Sequence, residues 1–246
     1  MSTDNIVRII NTKPVKIIDS NIAAGLAKTT GWKTWGSALV AGKFLSLDEN
    51  KQFINDKMVL DLSSGNGVVA LICAALNAKQ VVATECKTCM KILEKNIEFN
   101  IEDDSNWLTT DKICVKECNW GEKIIDEAII NVEYDLIILS DLVFIAVRDS
   151  IMDEFINTIL QIVKSPKTKM LLIYEERILE GEEEFLNILK RYFTLKMIEL
   201  DTELLDWLDN PSNSSNDDDD EGGIGGLFYE KPGIKIFICS LKIKNK

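Results

Sequence analysis

Apolar residues come in two rhythms along this chain, and they alternate. Short runs of four to ten residues, mostly apolar, are bounded by turn residues: Met58 to Leu62, Val81 to Thr84, Ile113 to Lys116, Tyr134 to Leu139, Lys169 to Tyr174, Thr194 to Leu200 and Ile234 to Ile243. Such runs read as buried strands. Between the first six lie stretches with apolar residues three and four apart. Helices are expected over about 68–76, 86–99, 149–163 and 182–192, preceded by one over about 37–47 with Ser37 as its N-cap. Strands alternating with helices predict a doubly wound, mostly parallel α/β sheet. The last two strands have no helix between them, so the final one must run antiparallel to its neighbour or lie at an edge. Residues 5–19 look like two short strands around a turn.

We divide the chain into residues 1–50, an N-terminal hairpin or arm plus a helix that covers the ligand site, and a core over 51–246. The run at about 208–228 (Asn-Pro-Ser-Asn-Ser-Ser-Asn-Asp-Asp-Asp-Asp-Glu-Gly-Gly at 210–223) is expected to be a disordered acidic insertion, because it offers too little apolar surface to offset chain entropy.

Composition changes the picture in three ways. With 246 residues, one α/β domain can bury a full core. The formal charge is −12, and five of the acids lie in Asp217 to Glu221, so without them the chain stands near −7. That balance argues against nucleic acid and for a partner with a lysine-bearing surface. There is no histidine, which removes Ser-His-Asp and Cys-His catalysis and His-ligated metals. The six cysteines include one Cys86-Lys87-Thr88-Cys89 pair with no second pair to complete a zinc site, so no metal is expected and the thiols read as reduced. No signal-peptide pattern or apolar run of about 18 residues occurs, which predicts no membrane association.

In an open α/β sheet, ligands bind outside the carboxyl ends of the strands. The polar motifs gather at such ends: Asp61 to Gly67 after the first core strand, Glu85 after the second, Trp120 after the third, Ser140 and Asp141 after the fourth, Glu175 to Arg177 after the fifth. Ser63-Ser64-Gly65-Asn66-Gly67 joins a strand to a helix, and Gly65 and Gly67 would let a ligand approach the backbone. About twenty residues on, Glu85 is placed to accept ribose hydroxyls. No Gly-Lys-Ser/Thr follows, so this is not a P-loop. A dinucleotide site is poorly matched, since Ser63, Gly65 and Val68 stand where three glycines would. An S-adenosylmethionine site and a plain structural turn both remain open on these residues alone.

Five blocks in order carry a resemblance: Trp35-Gly36-Ser37-Ala38-Leu39-Val40 with Lys43-Phe44-Leu45; Val59 to Gly67; Asn119-Trp120-Gly121-Glu122; Ser140-Asp141-Leu142-Val143-Phe144; and Tyr174-Glu175-Glu176-Arg177. In these the chain resembles the seven-strand protein-lysine methyltransferases of methyltransferase family 16, within them most closely those acting on valosin-containing protein. The resemblance implies a seven-strand Rossmann-like sheet with helices on both faces and S-adenosyl-L-methionine as cofactor. It implies a folded cytosolic protein as substrate, of the valosin-containing-protein-like ATPase, chaperone or elongation factor class, and a monomer in the cytoplasm or nucleus. Carried over by position, Trp35 closes over the cofactor, Asp61 lies near its ammonium, and Ser63, Ser64 and Gly65 supply backbone contacts. Glu85 binds the ribose, Trp120 flanks the adenine, and Ser140 lines the pocket. Asp141 and Phe144 place cofactor and lysine, and Tyr174, Glu175, Glu176 and Arg177 form the substrate side.

The chain departs from the family at two points. Ser63 replaces a glycine, which an ordinary φ would tolerate, and Phe144 replaces a commoner tyrosine. The other readings are methyl transfer to a small molecule, and a non-catalytic cofactor-binding interaction module.

Overall fold

A computed structural model describes residues 4–7, 15–18, 31–102, 107–200, 204 and 233–243. The proposed acidic insertion lies outside these. In chain order the elements are β1 (Asp4–Val7), β2 (Val15–Ile18), α1 (Gly36–Ser46), a 3-10 turn (Asp48–Phe53), β3 (Met58–Asp61), α2 (Val68–Ala75), β4 (Gln80–Glu85), α3 (Met90–Ile101) and β5 (Ile113–Glu117). There follow α4 (Glu127–Ile130), β6 (Leu136–Ser140), α5 (Leu142–Arg148), α6 (Met152–Ile162), β7 (Lys169–Glu175), α7 (Leu179–Tyr192), β8 (Phe193–Met197) and β9 (Ile234–Leu241). β1 and β2 pair antiparallel as a separate two-stranded unit.

The main sheet has seven strands in the order β5-β4-β3-β6-β7-β9-β8. β3 to β7 are parallel, and β9 runs antiparallel to both β7 and β8. β9 is thus inserted inside the sheet and β8 forms the edge. The strands run apolar on both sides because both faces are covered. Successive residues point to opposite faces: Val59, Val81 and Ile138 join a core with α1, α2 and α3, while Leu60, Val82, Ile137 and Leu139 join a second core with α5, α6 and α7. Val68 to Cys73 of α2 are all buried, since β2 and α1 pack over the side that a two-layer fold would expose.

The helix expected over 149–163 is α6; α5, which precedes it, was not expected, and Ser150 at φ 57 separates the two. Ser37 is not an N-cap. Trp35 holds that position with extended backbone, and Ser37 is wholly buried on the sheet side.

The topological reversal lies between β3, whose crossovers lead to β4, and β6, whose crossovers lead to β7. The carboxyl ends of these strands open together into one crevice.

Candidate functional site

That crevice is a cavity of about 320 Å³ lined, among others, by Trp35, Asp61, Ser63, Ser64, Gly65, Glu85, Trp120, Ser140, Asp141 and Phe144. These are the ten residues placed at the cofactor and catalytic positions from sequence. The β3–α2 turn forms its floor. Gly65 has φ 58, and a Cβ there would stand 3.4 Å from the Gly31 carbonyl. Gly67 has φ 89, but its role is packing: an added Cβ would meet Leu93 Cδ1 at 2.8 Å, so this glycine admits α3 to the turn and not a ligand.

Ser63 overturns the expectation of an ordinary φ. It sits at φ 58, in the left-handed region, at a cost of about 1 kcal/mol for a residue with a Cβ. Its side chain compensates, because Ser63 Oγ accepts a hydrogen bond from Trp120 Nε1 at 2.9 Å. Trp120 is held from behind by Phe155, with ring centroids 4.2 Å apart.

Two carboxylates dominate this half. Glu85 ends β4, 6% exposed; its two oxygens accept the backbone N–H groups of Gly65 (2.7 Å) and Cys86 (2.8 Å). One further lone pair on each oxygen is left for hydroxyl donors. Burial pushes its carboxyl up to about 8. Asp61 ends β3 and is 1% exposed; burial pushes it up to about 7, against hydrogen bonds from Ser64 and the Ala70 backbone. Asp61 Oδ2 is buried and has no hydrogen-bond partner, and the same is true of Ser140 Oγ. Two such orphans in one cavity point to a ligand bearing hydrogen-bond donors.

The other half is built differently. Asp141 follows β6 at φ 61, and its carboxylate takes both arms of the Arg177 guanidinium, at 2.9 and 3.0 Å. Ser37 Oγ also donates to it at 3.1 Å. Arg177 Nη2 reaches Glu175 at 2.5 Å, and Glu182 Oε1 accepts the N–H groups of Arg177 and Ile178, fixing the turn that carries the guanidinium. The guanidinium stands 5.3 Å from the Trp35 ring centroid and 5.1 Å from that of Phe144, while Arg148 approaches the Phe144 ring at 5.5 Å. These two aromatic faces and one carboxylate make a cradle that the Arg177 guanidinium already fills.

The four substrate-side residues do not share one location. Arg177 and Glu175 belong to the Asp141 cluster. Glu176 pairs with Lys235 of β9, and Tyr174 is 1% exposed, stacked on Phe237 beneath the sheet surface. None of the four lines the cavity. Sequence reasoning passed over Ser37, Lys33, Arg148 and the Cys86 and Cys89 side chains as site residues. A serine two residues after Trp35 was the available signal for the first.

The residues present fit S-adenosylmethionine. A donor-bearing ammonium suits the orphaned Asp61 carboxylate, a diol suits Glu85, and a flat base suits Trp120. Among solved structures, that of the mitomycin 7-O-methyltransferase MmcR superposes with a TM-score of 0.52 at 13% identity, over 84% of this chain and 54% of that one, a likeness of fold.

Among known sequences, the protein-lysine N-methyltransferase EFM3 of Chaetomium thermophilum is 32% identical over 113 residues, 45% of this chain and only 32% of that protein. The protein N-lysine methyltransferase METTL21A of Mus musculus is 27% identical over 170 residues, 69% of this chain and 71% of the relative. The family described as lysine methyltransferase matches residues 17–192, a span from β2 through α7 that holds every element bordering the crevice. The chain belongs to this lysine methyltransferase family and is an S-adenosylmethionine-dependent methyltransferase.

Proposed function

We propose that this chain transfers a methyl group to the Nζ of a lysine on a folded protein, in the cavity between the two halves just described. The observation that carries the reading is the pairing within one cavity of a desolvated acid with an unpartnered oxygen (Asp61) and an aromatic wall (Trp35, Phe144) beside an acid, Asp141, that Arg177 already neutralises. One end suits the amino-acid part of the cofactor. The other suits an amine that arrives neutral.

S-adenosylmethionine, when bound, supplies an electrophilic methyl on a sulfonium. Asp61 would hold its ammonium, Glu85 its ribose, and Ser63, Ser64 and Gly65 its backbone-facing edge, with Trp120 beside the base and Trp35 over the top. Orientation of the incoming amine against the methyl can supply several kcal/mol of the barrier. The amine must arrive neutral. Asp141 is engaged by both arms of Arg177 and by Ser37, so it orients and stabilises charge, and the proton leaves to solvent before the amine enters. Ser140 Oγ, with no partner of its own, would accept an N–H of that amine. The methylated cation is then tolerated by the Trp35 and Phe144 faces. Phe144 has no phenol to bond the nitrogen, so in this reading that role falls to Ser140.

For the substrate we propose a folded protein of the ATPase, chaperone or elongation factor class, the valosin-containing-protein-like ATPase being the narrowest member of that expectation. The formal charge of −12 favours a lysine-rich docking face over nucleic acid.

Recombinant protein given methyl-labelled S-adenosylmethionine and a cell extract is expected to label one or a few proteins on lysine. Label in small metabolites or nucleic acid would sink the lysine reading. Cofactor binding with no transfer to any fraction would favour an interaction module instead.

A further inference from the structure

The Cys86–Cys89 pair is not used by methyl transfer, yet both side chains line the cavity. The two residues close a β-turn, in which Cys89 N–H donates to the Cys86 carbonyl at 3.0 Å. Such a turn brings its end Cα atoms within about 7 Å, a spacing that a disulfide spans. The sulfurs and a Glu85 oxygen lie within 4.8 Å of one another, and the Thr88 hydroxyl stands 3.1 Å from Cys86 Sγ and 3.9 Å from Cys89 Sγ. Cys89 caps α3, so the turn also lies at the positive end of a twelve-residue helix.

The two thiols are unequal. Cys86 is half-buried at the cavity wall and Cys89 is buried. The hydrogen bond between them pulls the Cys86 thiol down from its ordinary range, helped by Thr88 and Glu85, and pushes that of Cys89 up, together with burial. An accessible thiolate three residues before a buried thiol is an attacking and resolving pair. A closed zinc site needs four donors, and among the described residues only three gather here.

We propose that Cys86 and Cys89 form a reversible oxidation site for small-molecule disulfides, and that its oxidation and cofactor binding exclude one another. Cys86 Sγ attacks one sulfur of a disulfide such as oxidised glutathione, forming a mixed disulfide and expelling one thiolate. Cys89 gives its proton to that thiolate and its sulfur attacks Cys86 Sγ, expelling the second. The protein loses two electrons, the reagent gains them as two thiols, and a dithiol reductant reverses the sequence.

The coupling to cofactor rests on the placement proposed above. Cys86 follows Glu85 directly and donates its N–H to that carboxylate. Cys89 Sγ lies only 3.1 Å from where a Cβ on Gly31 would stand, and Gly31 in turn packs on Gly65. Drawing Cys89 Sγ toward Cys86 disturbs both the ribose acid and the glycine turn.

The test is non-reducing peptide mapping of the intact protein after timed exposure to oxidised glutathione, with and without saturating S-adenosylmethionine. The Cys86–Cys89 bridge is expected as the first cross-link. Cys89→Ser should trap a glutathione mixed disulfide on Cys86, and Cys86→Ser should leave position 89 unmodified. Should either variant fail to fold, wild-type protein answers through alkylation order, with Cys86 expected first. Modification of Cys114 ahead of Cys86, or absence of the bridge, overturns the thiol site. Cofactor is expected to slow bridging about tenfold by occupying the reactive state. Bridging at an unchanged rate, while tryptophan fluorescence shows cofactor bound, would retain the thiol pair and overturn the placement of the cofactor beside it.

Discussion

The two halves of the cavity handle buried acids in opposite ways. At the ends of β3 and β4, Asp61 and Glu85 are desolvated and meet no cation among the described residues, and burial lifts their carboxyls to about 7 and about 8. At the ends of β6 and β7, Asp141 is nearly as buried, yet it is gripped by Arg177, and Glu175 shares the same guanidinium. A buried charge without a partner is costly unless something arrives to pair it. The first half is therefore unfinished without its ligand, and the second is finished by the protein itself. A ligand bringing charge and donors is required on one side, while on the other Arg177 already neutralises the acid, so the incoming amine need not pair it.

Asp141→Asn should break the comparison hardest. Asparagine tolerates the left-handed backbone at φ 61, so the fold persists while the bidentate pair with Arg177 is lost. Methyl transfer is expected to fall by at least about a hundredfold, because the cradle loses its orientation. A variant that is well folded by circular dichroism and still fully active would refute the role given to this half.

Asp61→Asn tests the other half and should act with opposite signs. Cofactor affinity by calorimetry is expected to drop about tenfold to a hundredfold, the loss of a charge-assisted hydrogen bond. Thermal stability of the ligand-free protein at pH 8 should rise by a few degrees, since a desolvated charge is removed. A fall in both would mean that Asp61 is already satisfied within the fold.

The pH dependence follows from the same two groups. A carboxyl whose folded pKa is raised contributes stability that is present below its ordinary pKa and is lost as pH climbs through the folded value. For Asp61 the loss runs from about 4 to about 7, and for Glu85 from about 4.5 to about 8. A bound ammonium and diol favour the charged forms, so cofactor binding should release protons below pH 8. The melting-temperature increase given by cofactor is expected to be larger at pH 8 than at pH 6, and Asp61→Asn should flatten the difference.

Ser63→Gly should have the smallest effect. Glycine relieves the strain at φ 58 but deletes the acceptor of Trp120 Nε1. Strain relief and a lost neutral hydrogen bond are each worth about 1 kcal/mol, so denaturant midpoints should barely move. A large loss of stability would show that the Trp120 contact anchors the rim.

Much of this was legible in one dimension. Trp35, Asp61, Glu85, Trp120 and Asp141 stand at strand ends or beside a helix start, and a parallel sheet collects such positions on one rim. α5 was hidden, because its seven residues, Leu142 to Arg148, are too few for a helical rhythm to stand out. The substrate-side block was legible as a motif but not as a location. Its alternate residues point to opposite faces, so Tyr174 was drawn into the core while Glu175 stayed with Arg177.

Periodicity and order along the chain dictated the sheet, its helices and which residues reach the crevice, since those depend on local spacing. Whether each acid there is lonely or paired could be decided only in three dimensions. The contacts that decide it join residues 104 positions apart (Ser37 and Asp141) or 36 apart (Asp141 and Arg177). Desolvation and ion pairing follow spatial distance, and the strand order β3-β6-β7 is what sets it.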